Sequence, residues 1–267
     1  MARKPQLRDC VYGQAVGDAL GVPYEFGWRG QFTCTGMVGG GAHDQPAGTW
    51  SDDTSMMLAI CDSYRALHRI DCEDIRTRFR AWYDRGAYTV DGLFDIGNTV
   101  MNALNRGVGA LGEQSNGNGS LMRTVPLAFT PATDDEIRAV SAITHAHAIS
   151  MNACVDAVAF ARDLMAGEDP AEAAAAIGYA GIADVPEDDI SSGGFVLDTL
   201  RAALWCLITT DNYADCVLRA VNLGHDSDTT AAVAGAFAGI VYGEEAIPAE
   251  WRNTLRGRKV IEKCLFA

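Results

Sequence analysis

Hydrophobic positions along the chain recur at three- and four-residue spacing. Met56, Met57, Ile60, Cys61, Tyr64 and Leu67 form one stripe of an amphipathic helix. Val196, Leu200, Leu204 and Ile208 step by four, with Leu197 and Leu207 beside them. The same period predicts helices over 7–20, 75–83, 98–104, 136–148, 152–165, 213–221 and 251–265, and the apolar run 231–242 adds another. Polar–apolar alternation bounded by hairpin turns is scarce. Gly235, Gly239 and Gly243 fall at every fourth place, a ridge without side chains along which a second helix can approach closely. The pattern predicts an all-α bundle of about ten helices, arranged as a single compact domain over residues 1–267 without internal repeats.

Between the periodic segments lie loops rich in glycine and polar residues: GWRGQFTCTGMVGGGAHDQPAGTWSDD, TVDGLFDIGN, EQSNGNGS and DVPEDDISSGG. None is long or biased enough to be a domain linker. Loops held by a rigid scaffold are where chemistry is expected.

Composition narrows the function classes. Hydrophobic residues make up 48% of the 267, enough for a substantial core. The net charge of −14 argues against broad contact with nucleic acid or anionic membranes, which need surfaces rich in Lys and Arg. It leaves room for a small phosphorylated ligand held by a metal ion or by backbone N–H groups. The eight cysteines are scattered without zinc spacing, so free thiols in a reducing compartment are expected. The N-terminal basic residues precede no apolar run, and 231–242 falls short of the ~20 residues of a membrane span. A cytoplasmic, membrane-free protein is the expectation.

Two stretches carry the candidate chemistry. In GHDSDTTAAVAGAFAG, Asp226 and Asp228 open an apolar helix, and in GTWSDDTSMMLAI, Ser51, Asp52 and Asp53 open another. Either set alone reads as helix capping. Together, before helices too apolar to be exposed, they read as two buried helix starts aimed at one place. Four converging carboxylates repel and lose hydration unless cations cancel them. Oxygen ligands without Cys or clustered His suit Mg²⁺ or Mn²⁺. In a two-metal site the ions lie ~3.5–4 Å apart and share a ligand; Asp228 is the expected bridge.

The set GQAVGDALGVPYEF, GTWSDDTSMM, FDIGNT, NGNGSLMRTVPLA, THAHA and GHDSDTTAAVAGAFAGIVYG resembles the ADP-ribosylglycohydrolase family, whose best-known prokaryotic branch is the dinitrogenase reductase-activating glycohydrolases. The motifs match in order over residues 11–243. The resemblance implies an all-α hydrolase that uses two divalent cations, Mg²⁺ or Mn²⁺, to cleave ADP-ribose from a modified protein. On it, Ser51, Asp52 and Asp53 would bind one metal and Asp226, Asp228 and Thr229 the other. Glu25 in VPYEF would move protons, where the residues alone also allow a solvated loop glutamate. Asp95 in FDIGNT would do acid/base work or grip an arginine acceptor, or else cap the Asn98 helix.

The NGNGS loop, with Asn118, Gly119, Ser120 and Leu121 at the start of an expected helix, would take the diphosphate on backbone N–H groups, and otherwise reads as a helix-initiating turn. Gly97 would let its loop pass close to substrate, and His145 would stand beside the phosphates. Asp18 is expected to form structural hydrogen bonds and Arg123 a structural ion pair. Ser51 stands where the family commonly has Thr, and His225 where a small residue is frequent. FDIGNT resembles the arginine-specific branch, so ADP-ribosyl-arginine is the expected substrate and free ADP-ribose the product. Serine-linked ADP-ribose, O-acetyl-ADP-ribose, an ADP-ribosylated base, a silent ADP-ribose-binding relative and a two-metal phosphatase remain alternatives.

Overall fold

The computed structural model describes residues 3–267. Twelve α-helices run through them: α1 (Leu7–Gly21), α2 (Asp52–Leu67), α3 (Cys72–Arg85), α4 (Asn98–Arg106), α5 (Asp134–Ala142), α6 (Ala148–Ala166), α7 (Pro170–Ala176), α8 (Val196–Ile208), α9 (Tyr213–Asn222), α10 (Ser227–Tyr242), α11 (Ala249–Thr254) and α12 (Arg258–Cys264). Short 3-10 segments connect them, and the only β pairings among the described residues are three isolated bridges. No described helix is long and apolar enough to cross a membrane. All eight cysteines are free thiols, and all but Cys72 are buried.

α1 and α10 form the centre and are buried on nearly every side. Their contact is made by backbone. A Cβ on Gly13 would lie 2.2 Å from the Gly235 carbonyl oxygen, one on Gly17 2.1 Å from that of Ala231, and one on Gly239 2.1 Å from that of Asp9. The glycine ridge of α10 therefore meets a matching ridge on α1, which has the same four-residue spacing. Gly243 is not part of it: it ends α10 with φ +87°. The phenol of Tyr213 on α9 donates to the Gly13 carbonyl at 2.6 Å, and Ser227 Oγ donates to that of Gly21 at 3.0 Å. α2, α6, α8 and α9 pack around this pair in one continuous hydrophobic core.

Three expected helices end or break elsewhere, each for a local reason. The 136–148 pattern stops at Ala142. There Ala110 inserts beside the chain, its N–H donating to Thr144 O at 2.9 Å and its carbonyl accepting from Ala146 N at 2.8 Å. THAHA is thus a loop, and His147 caps α6. The 251–265 pattern splits at Gly257, whose φ of +63° turns the chain over the Trp50 ring. The helix expected after NGNGS is two 3-10 segments, Asn118–Arg123 and Val125–Phe129, because Pro126 has no N–H to continue an α-helical ladder. α7 was not expected, although Asp169 and Pro170 are an ordinary cap and first residue for it.

The α1–α10 contact has no room for a methyl group. Gly17→Ala is expected to lower the free energy of unfolding by about 3 kcal/mol, the upper end of overpacking. Gly112→Ala, whose Cβ would meet only Ser115 Oγ at 3.8 Å, is expected to stay within about 0.5 kcal/mol. Urea denaturation of both variants checks this, and equal effects would mean that the helices separate to accept the methyl.

Candidate active site

The first turns of α2 and α10 meet the end of α1. Asp18, on α1, accepts the N–H of Ser51 at 2.9 Å on one carboxylate oxygen and that of Thr54 at 3.0 Å on the other, with the Thr54 hydroxyl at 2.6 Å. It caps α2 from another helix. Ser51 completes the cap by accepting from Asp53 N at 3.3 Å. Asp226 occupies the N-cap position of α10 but makes no side-chain cap bond. Capping thus falls to Ser51 and Asp18 on α2, and in the first turn of α10 Asp228 Oδ1 accepts the N–H of Thr229 at 2.9 Å, whereas Asp52, Asp53 and Asp226 make no such bond.

Carboxylate oxygens of Asp18, Asp53 and Asp228 lie within 4.8 Å of one another, as do those of Glu25, Asp226 and Asp228. Asp228 belongs to both groups. Thr229 Oγ1 donates to Asp53 Oδ2 at 3.3 Å and Ser51 Oγ to the same oxygen at 3.0 Å. Asp52 turns instead toward Asp95. Above this floor opens a cleft of 360 Å³ lined by Glu25, Asp52, Asp95, Gly97, Asn118, Gly119, His145, Asp226 and Thr229 among others. Ser51, Asp53 and Asp228 lie buried beneath it.

Two expected residues do not face the cleft. Ser120 is fully buried with its hydroxyl toward Ser141 and Cys154, and Leu121 packs in the core. Asn118 turns its side chain to Asp226, at 2.8 Å, and spends its backbone N–H on Gly194 O at 3.0 Å. An anion on this loop would meet the N–H groups that follow, beginning with Gly119, whose missing side chain leaves room for His145 Cε1. Gly97 is the N-cap residue of α4, so Asp95 is not a cap. A Cβ on Gly97 would enter open space. Arg123 has no acidic partner, contrary to the ion pair expected of it. Buried, it is held by carbonyls, Thr144 and the face of Phe79.

Other members of the site come from tertiary contacts that local sequence does not reveal. The turn Gly40–Gln45 brings His43 Nε2 against Glu25 Oε2, with Asp95 within reach of both. The segments around Glu25 and Asp226 are tied together: Phe26 N donates to His225 O and His225 N to Gly27 O, both at 2.7 Å. Both Phe26 (φ +65°) and His225 (φ +58°) sit in the left-handed region, a conformation side chains rarely adopt. This clamp sets Glu25 beside Asp226. His225, the unusual residue at its position, packs its ring edge-on to Trp28.

Burial is the main cause that raises the pKa of Asp18, Glu25, Asp52, Asp53, Asp226 and Asp228. Glu25 is pushed up to about 9, with Asp95, Asp226 and Asp18 adding repulsion. Asp18 rises to about 6, its hydrogen bonds to Thr54 and Ser51 opposing the shift. Asp52, Asp53 and Asp228 rise well above the carboxylate range, and Asp226 rises too. Among the described residues, the only basic side chain paired with any of them is His43, on Glu25. Asp53 Oδ1 is buried with no hydrogen-bond partner. An all-oxygen donor set, negative, buried and with an orphaned oxygen, fits a hard divalent cation and no soft one.

Residues 1–267 match the family model for ADP-ribosylglycohydrolase. The chain is 34% identical to the ADP-ribosylarginine hydrolase Tri1 of Pseudomonas putida, over 97% of this chain and 76% of that protein. It is 31% identical to the ADP-ribosyl-[dinitrogen reductase] glycohydrolase of Rhodospirillum rubrum, over 91% and 87% of the two chains. Among solved structures, an ADP-ribosylglycohydrolase-related protein complex superposes with a TM-score of 0.81 at 30% identity, covering 99% of this chain and 97% of that one.

The raised carboxylates make a pH prediction for the cation-free protein. Groups with a folded pKa above the unfolded one hold more protons in the folded state, so stability falls as pH rises. The loss begins above the unfolded carboxylate range, near 4, and runs to the folded value of Glu25, about 9. Thermal melts in EDTA are expected to show a lower Tm at pH 8 than at pH 5.5. Mg²⁺ or Mn²⁺ is expected to raise Tm at pH 8, and Asp53→Asn to remove most of that rise. A Tm indifferent to both pH and cation would show that the cluster holds no uncompensated charge.

Proposed function

Since the chain belongs to the ADP-ribosylglycohydrolase family, we propose that it hydrolyses the bond between C1″ of ADP-ribose and an arginine side chain of a modified protein, releasing ADP-ribose. The observation that supports this reading is the acidic floor formed by Asp53, Asp226 and Asp228 at and beneath the cleft. A catalytically silent relative has no use for so costly a cluster.

Ser51, Asp52, Asp53, Asp226, Asp228 and Thr229 would hold two divalent cations, Asp228 being the residue common to both acidic groups. When bound, Mg²⁺ or Mn²⁺ neutralises the floor and orients the vicinal hydroxyls of the ribose. The rest falls to the chain. The loop at Gly119 and the His145 ring take the diphosphate, and Gly97 leaves its wall of the cleft open to the ligand. Asp95 at the rim meets the guanidinium of the acceptor, whose planar donors match a carboxylate.

Cleavage develops oxocarbenium character at C1″. Water adds to C1″ as the C1″–N bond breaks and its electron pair stays on the guanidine nitrogen. One proton leaves the water and one reaches the departing nitrogen. Glu25, beside both Asp95 and Asp226, is the group that moves a proton, and His43 holds its carboxylate in place.

Purified protein is to be incubated with an ADP-ribosyl-arginine peptide and a serine-linked peptide, each with Mg²⁺, Mn²⁺ or EDTA, and free ADP-ribose followed. Release from the arginine peptide with metal and none in EDTA is expected. Release from the serine peptide alone would overturn the acceptor, and release from neither would overturn the activity. Glu25→Gln is expected to lower kcat by about 10²–10⁴-fold with metal still bound, the usual contribution of a positioned acid/base group. Glu25→Gln turnover at the wild-type rate would remove Glu25 from the mechanism.

A further inference from the structure

Arg123 is fully buried yet hydrogen-bonds to no carboxylate. Its Nη1 donates to the Gly119 carbonyl at 2.9 Å, and Nη2 to Thr144 Oγ1 at 2.8 Å and the Val140 carbonyl at 3.3 Å. The guanidinium carbon lies 4.6 Å from the centre of the Phe79 ring, and Nε has no partner. A buried cation with no anion beside it costs folding free energy, so its use lies in what it donates to. Two of those acceptors, Gly119 and Thr144, belong to the segments that frame the cleft, NGNGS and THAHA, and the third, Val140, lies on α5.

Proton accounting along this line leaves one arrangement. A guanidinium has donors and no acceptor, so the Thr144 oxygen must accept from Arg123. The hydroxyl has a single proton to give, and His145 Nδ1 lies 2.8 Å away. If Nδ1 carried the proton instead, the Thr144 hydroxyl hydrogen would have no acceptor, and Thr144 is fully buried. Nδ1 therefore accepts, and the ring proton sits on Nε2. That nitrogen has no hydrogen-bond partner among the described residues and lies beneath the glycine loop: a Cβ on Gly117 would be 3.7 Å from it and one on Gly119 3.5 Å. His145 is 1% exposed and lines the cleft.

We propose that Arg123 and Thr144 are positioning residues that hold His145 in the Nε2–H tautomer, so that it donates to the diphosphate of ADP-ribose. This rests on the reading of the cleft as an ADP-ribose site. Diphosphate oxygens only accept, so the other tautomer would turn a lone pair toward them. Burial first, and the Arg123 charge second, lower the His145 pKa to about 3, so the ring is neutral and has only one proton to place. By holding the Gly119 carbonyl, the same guanidinium keeps that acceptor turned inward, away from the anion.

The test uses the full-length protein with two readouts. Nitrogen-15 NMR of the imidazoles, with His145→Asn identifying the His145 signals, reports the tautomer without any ligand. Calorimetry with ADP-ribose, and KM and kcat on the arginine-linked peptide, report binding and turnover. Wild type is expected to show Nε2 as the protonated nitrogen. Thr144→Val is expected to mix the tautomers and weaken ADP-ribose binding about tenfold or more, the loss falling mainly on KM, and Thr144→Ser to restore both.

An Nδ1–H ring in wild type overturns the proposal, as does a Thr144→Val protein that keeps its tautomer and affinity. Wild type with the Nε2–H ring but no affinity for ADP-ribose overturns the ligand assignment, and with it the reading of the cleft on which the proposal rests. The NMR and the calorimetry thus separate the two failures.

Discussion

The backbone contact between α1 and α10 is the constraint on which the rest depends. Gly13, Gly17 and Gly21 let α1 lie so close that a Cβ on Gly21 would fall 2.3 Å from the Cα of Asp228. That approach sets Asp18 and Asp228 in one cluster. Asp18 in turn grips the first turn of α2, which carries Asp52 and Asp53. One steric condition, the absence of side chains along two facing ridges, thus registers the starts of α2 and α10 against the end of α1. Dispersion across so tight a seam is collectively large.

Such rigidity is needed because the electrostatics oppose it. Six carboxylates share a region where burial alone raises each pKa, and repulsion raises most of them further. A flexible frame would let them separate and hydrate. Here the α1–α10 seam, the cap from Asp18 and the His225–Phe26 clamp hold them together at the cost of folding free energy, which the proposed divalent cations would offset on binding. The left-handed residues Phe26 and His225 are part of the same cost: strain persists where the surroundings over-determine it.

Much of this was legible in the order of residues and some was not. Periodicity located most of the helices, because a buried stripe leaves a regular mark. It failed where a distant segment competes for the backbone, as Ala110 does at Thr144 and Ala146. The Asp pairs stood out because carboxylates before apolar helices are out of place. Asp18 reads as a structural hydrogen-bonding residue and is one, but nothing in GDALG shows that its partners are the first turn of α2. His43 was missed because it reaches Glu25 through a turn far from VPYEF. Ser120 looked like part of an anion loop, yet a 3-10 segment turns its hydroxyl to Ser141 and Cys154. Arg123 looked like half of an ion pair; no local pattern tells a guanidinium held by carbonyls from one held by a carboxylate.

Charge in the cleft is arranged by side, and this explains how an acidic chain can receive an anionic ligand. The carboxylates gather at the floor and on the side of Glu25 and Asp95, where a cationic acceptor and metal ions would lie. The opposite wall, the loop at Gly119 and the ring of His145, presents no acid and is backed by the buried guanidinium of Arg123. Asn118 stands at the boundary, its amide donating to Asp226 while its backbone N–H is fixed on Gly194. On the proposed reading, ADP-ribosyl-arginine would meet donors at its diphosphate, the acidic floor at its ribose diol and the Asp95 carboxylate at its guanidinium. Neither half serves alone: without Arg123 behind it, a neutral wall would stand in the field of six carboxylates, and the diphosphate would be repelled before its hydrogen bonds formed.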